Sequence, residues 1–124
     1  VTADHQRVVV LAEDIIWSER LARLLREVGA EPIVVRDAAA YETAIVDAGA
    51  VLVDLTAVRV DPLLAIERAR AAELRILAVG QHDDHALRKR ALAAGAERVF
   101  AYRKLFEDGE ATLRGWLASP SPVA

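Results

Sequence analysis

Cysteine and methionine are both absent from the 124 residues. Without cysteine there is no disulfide, no thiolate metal site and no Cys nucleophile, and the chain fits a reducing compartment such as the cytoplasm. The missing methionine predicts a start that has been processed or trimmed. No apolar run reaches the length of a membrane span, and no charged segment followed by an apolar stretch opens the chain. No block of Lys and Arg stands out, and the net charge is -3. Direct binding to nucleic acid or to a membrane is therefore not expected. Glycine-rich phosphate loops of the dinucleotide or P-loop type are missing as well, which counts against a small-ligand binder.

What is present suits one globular domain. Hydrophobic residues make up 54% and charged residues 28%, enough for a core under a solvated surface. Short apolar runs alternate with helical periodicity. They predict strands over 7–12, 31–35, 50–55, 75–79 and 98–102, and helices over 18–28, 38–48, 61–72, 84–94 and 107–118. Asp61 and Pro62 read as N-cap and first helical residue, and Asp83 or Asp84 as the next cap. Gly29, Gly49 and Gly95 each follow a helix and precede a strand, where glycine can take the left-handed conformation that ends a helix. The strands are continuously apolar, as in a parallel sheet covered on both faces. The expected fold is α/β: a flavodoxin-like (βα)5 doubly wound parallel sheet of order 2-1-3-4-5. Residues 1–118 form the domain. Residues 119–124, rich in Pro and Ser, read as a frayed end or the start of a linker.

Such sheets bind ligands beyond the carboxyl ends of the strands, where the strand order reverses. Here that point lies between the first and third strands. The first ends in "LAED", with Glu13 and Asp14, and the third in "VDL", with Asp54. Three carboxylates at one edge call for a cation or a retained proton. Mg2+ with oxygen ligands would satisfy them.

In these pieces the chain resembles the receiver domain of bacterial response regulators, over roughly residues 7 to 118. The matching stretches are "VVVLAED", "AVLVDL", "VRVDP", "ILAVGQHDDHALRKRALAAGAERVF" and "KLF". The resemblance implies a cytoplasmic two-component signalling domain in which Asp54 accepts a phosphoryl group from a sensor histidine kinase. Glu13, Asp14 and Asp54 would hold Mg2+ with the backbone carbonyl of Thr56, and Lys104 would contact the phosphoryl group. Enzymatic activity would extend at most to self-phosphorylation and autodephosphorylation at Asp54. Partners would be the kinase or another signalling protein, with a homodimer through the face made by helix 84–94, strand 98–102 and helix 107–118.

The chain departs from the family at several positions. Gly80 stands where the family has Thr or Ser, leaving a hole and no hydroxyl. Gap-free counting from Gly95 puts Tyr102 at the family's Lys; Lys104 fits only if the strand and loop are two residues longer. Leu105 follows in place of a proline, so a trans bond is expected there. Val99, Phe100 and Tyr102 compete for the place of the family's switch aromatic. Counting from Gly29 favours Glu13 as the main metal ligand, and an earlier helix start favours Asp14. The alternative is a pseudo-receiver, a phosphorylation-independent interaction or dimerisation module. It gains if Tyr102 or Arg103 takes the Lys position and no cation approaches Asp54. His82 and His85 in "QHDDH" read as part of a capped loop, not a metal site. Trp17 is expected just before the first helix, at the rim or as a packed staple, and Trp116 in the core or an interface.

Overall fold

Apolar runs long enough to be buried on both sides build the middle of the sheet. In the computed structural model, described over residues 6–119, they are β1 (Arg7–Leu11), β3 (Ala50–Asp54) and β4 (Arg75–Gly80). The flanking strands are β2 (Glu31–Val35) and β5 (Arg98–Ala101). All pairings are parallel, in the order β2-β1-β3-β4-β5. The helices are α1 (Ile15–Glu27), α2 (Ala38–Ala44), α3 (Pro62–Ala71), α4 (His85–Ala94) and α5 (Tyr102–Ala118). The flavodoxin-like fold and strand order expected from the sequence are both present.

Each sheet face has its own core. Leu21 and Leu25 of α1 and Leu105, Leu113 and Trp116 of α5 pack on Val8, Val10, Leu52 and Val79. Opposite them, Tyr41, Ile66 and Ala91 of α2, α3 and α4 pack on Val9, Leu11, Val51 and Ile76. Four helices start on aspartate. Asp14, Asp37, Asp61 and Asp84 each accept a backbone N–H of the first turn, at 2.8, 2.8, 3.0 and 3.1 Å. Gly29 and Gly95 adopt φ of 87 and 135, as expected of helix-ending glycines, whereas Gly49 does not take the left-handed conformation. At the end of α3, where no glycine is available, Glu73 takes the left-handed conformation (φ 61).

Several boundaries differ from the sequence reading. α1 starts at Ile15, three residues early, so Trp17 lies inside the helix. The helix expected over 38–48 stops at Ala44 and closes with a 3-10 turn, Ile45–Asp47. α5 begins at Tyr102, directly off β5, and its helical geometry breaks at Asp108 (φ -148, ψ 35). No cis peptide bond occurs among the described residues. None of their helices is long and apolar enough to cross a membrane. Beyond Ser119, the tail or linker start expected over 119–124 lies outside the described residues.

Candidate functional site

Asp54 ends β3, opposite Val79 of β4, and is 2% exposed. A carboxylate so placed must be satisfied by donors. Its Oδ1 accepts from the backbone N–H of Thr56 at 2.9 Å and from the Thr56 hydroxyl at 2.7 Å. The first bond is an Asx turn, the local closure an Asp-x-Thr spacing favours. A third donor is the Tyr102 hydroxyl, which meets the same oxygen.

Tyr102 reaches this place because α5 begins as soon as β5 ends. Its ring is buried against Trp17, with centroids 3.9 Å apart, and Trp17 stacks onward on Phe106 at 4.7 Å. The Arg20 guanidinium covers the Phe106 ring at 4.5 Å. Burial, and then the bond to Asp54, push the Tyr102 phenol above its ordinary range, so it stays protonated and acts as a donor.

Glu13 leaves β1 beside this cluster but faces the loop after Thr56. Its carboxylate accepts the backbone N–H groups of Val58, Arg59 and Val60 at 3.0, 2.7 and 3.0 Å. Desolvation alone would raise its pKa; these three bonds outweigh it and hold the group below the usual carboxylate range. Asp14 caps α1 through the Trp17 N–H. Asp14 therefore belongs to the helix start, and Glu13 to the loop.

Lys104, expected to contact a phosphoryl group at Asp54, is not bonded to Asp54 in this structure. Lys104 lies on the exposed side of α5, paired with Asp108 at 3.4 Å. The helix begins two residues before it, so Tyr102 takes the position facing Asp54. Gly80 corrects a second expectation. No hole remains there, because a Cβ would meet the Leu55 side chain at 3.2 Å and Leu55 is itself buried.

The Mg2+ implied by the resemblance does not fit this donor set. Glu13 engages both oxygens with backbone amides, and Asp54 receives three donors on one oxygen. Among the described residues no group of three or more His, Cys, Asp or Glu is placed to hold a metal ion. The backbone carbonyl of Thr56 has no carboxylate cluster to complete. Nor does the "QHDDH" stretch supply such a group. The site is instead a closed hydrogen-bonded unit of Asp54, Thr56 and Tyr102, backed by Trp17. Counting anticipated the position of Tyr102. The Thr56 hydroxyl and the Trp17 stack were missed, and only the Asp-x-Thr spacing signalled the first of them.

No protein-family model and no curated protein matches the sequence significantly. Solved structures do match it, over nearly the whole chain. The signal receiver domain of a DNA-binding response regulator from Colwellia psychrerythraea 34H aligns with TM-score 0.79 at 18% identity, covering 92% of this chain and 99% of that one. A response regulator from Thermotoga maritima gives TM-score 0.79 at 18% identity, covering 93% and 99%. A CheY-like receiver domain protein from Methanospirillum hungatei JF-1 gives 0.72 at 16%, covering 92% and 98%. The chain has the fold of response regulator receiver domains.

Proposed function

We propose that this chain is a receiver-fold interaction module that works without phosphorylation of Asp54. The observation that carries the reading is the Tyr102 hydroxyl on Asp54. A carboxylate nucleophile in phosphoryl transfer needs an available oxygen and a cation to take the developing charge. Asp54 Oδ1 already accepts three hydrogen bonds, which tie that oxygen to Thr56 and Tyr102. Lys104 is paired with Asp108, and Gly80 brings no hydroxyl. Partners in this reading are other signalling proteins, or a second copy docking on the face of α4, β5 and α5.

Phosphoryl acceptance at Asp54 is favoured by one feature, the place of this residue at the carboxyl end of β3 beside the strand-order reversal. It requires Tyr102 and Glu13 to leave their present partners. A Mg2+ titration followed through the backbone amides of residues 13, 14, 54 and 56 separates the two readings. The interaction module leaves those resonances unmoved at millimolar Mg2+. Saturable shifts that disappear in Asp54→Asn contradict it.

A further inference from the structure

The outer edge of β5 carries an unexplained combination of groups. Among the described residues β5 has one neighbour, β4, so its other side is an unpaired sheet edge. Glu97 donates its N–H toward β4, to the Ile76 carbonyl at 2.9 Å. Alternation along the ladder then turns the N–H and C=O groups of Arg98 and Phe100 outward. Two cavities flank this edge, of about 540 Å3 against α4 and about 360 Å3 against α5, and both are lined by Arg98, Phe100 and Lys104. Arg88 and the exposed Leu92 form the α4 wall; small residues, Ala111 and Gly115, leave room on the α5 wall.

The charge is of one sign. Glu97 is neutralised by Arg75 at 2.9 Å and Asp108 by Lys104 at 3.4 Å. Arg88 and Arg98 have no carboxylate partner among the described residues, nor do Lys89 and Arg90 beside them on α4. A basic patch with an open backbone edge thus stands on a chain of net charge -3. The opposite edge strand, β2, differs. It carries Pro32, which donates no hydrogen bond, and its Glu31 pairs with Arg7.

We propose that β5 is a docking edge for an extended acidic polypeptide segment, which adds as a sixth strand. Its backbone pairs with Arg98 and Phe100, its carboxylates meet Arg88 and Arg98, and its apolar side chains lie along Phe100 and Leu92. The proposal rests on the interaction-module reading for its role in signalling, but Arg98 and Phe100 lie on β5, two strands away from Asp54, and neither is bonded to it. Its test therefore fails or succeeds apart from any test of phosphorylation.

The probe is a short acetylated peptide of alternating Glu and Val, added to the full chain and followed by amide resonances and hydrogen exchange. Binding is expected to slow exchange at Arg98 and Phe100 and to weaken with salt. Arg98→Glu and Arg88→Glu, both exposed positions whose folding circular dichroism verifies, each reduce affinity about tenfold. Backbone N-methylation of the peptide abolishes the protection. Unprotected amides, or unchanged affinity in both variants, overturn the proposal. A dimer through this face that the peptide cannot displace assigns the edge to a second copy and also overturns it. So does a single-stranded oligonucleotide that binds the patch more tightly than the peptide and protects neither amide.

Discussion

The three groups that close the site are a carboxylate, a hydroxyl and a phenol, and each has a measurable signature. Burial comes first among the causes that raise both tyrosines above their ordinary pKa of 10.0; a neighbouring charge at Glu42 adds to it for Tyr41, and the bond to Asp54 for Tyr102. The folded state therefore keeps two protons that the unfolded chain releases above pH 10. The stability present below that pH falls as pH rises, by about 1.4 kcal/mol per unit for each phenol. Because these are the chain's two tyrosines, phenolate absorbance should appear only together with loss of helical dichroism. Phenolate signal from a folded chain at pH 10–11 counts against the Tyr102–Asp54 bond. Tyr102→Phe leaves Asp54 with its two Thr56 donors, so urea unfolding should show a loss of about 1.5–3 kcal/mol. At Glu13 the sign reverses. Its depressed pKa means that the latch on residues 58–60 holds as pH falls through 4.5 and is released only below. Exchange at the amides of Val58, Arg59 and Val60 should rise in Glu13→Gln at neutral pH; unchanged exchange there removes the latch.

Elements with a punctuation mark in the sequence were legible, and those without one were not. Asp61-Pro62 and Asp84 announced α3 and α4, and the apolar runs at 50–53 and 75–79 announced the central strands. α5 has no capping side chain at Ala101, because it grows straight from β5. That is why Tyr102 read as strand and Lys104 remained a candidate for Asp54. Asp14 was legible as an acid but not as a cap, which misplaced Trp17. Glycine positions test the element geometry in opposite directions. Gly95 combines φ 135 with a Cβ position 2.8 Å from Arg70 Cδ, so Gly95→Ala should cost about 1 kcal/mol or more. Gly115 has nothing within 4 Å and sits in α5, so Gly115→Ala should stabilise by about 0.5–1 kcal/mol. Equal effects at the two sites would contradict the assigned backbone conformations.

Across the whole molecule one ion pair ties distant parts together. Arg75 at the start of β4 is buried, bonded to Glu97, and donates to the Trp116 and Ser119 carbonyls at the end of α5, both at 2.9 Å. Removing one partner of such a pair strands the other, so Arg75→Met should lose about 3–5 kcal/mol in urea unfolding. The fold as a whole was readable because five apolar strands and their helices admit few arrangements. The closed state of the site was not, because it depends on where α5 begins and on what fills the space beside Gly80. Two residues of register separate a lysine that could serve a phosphoryl group from a tyrosine that occupies its acceptor. The most direct test is intact-protein mass after incubation with acetyl phosphate and Mg2+, under conditions that fully modify a phosphorylatable receiver. The native chain and Asp54→Asn should both keep their original mass. A gain of one phosphoryl group in the native chain, absent from Asp54→Asn, would contradict the account.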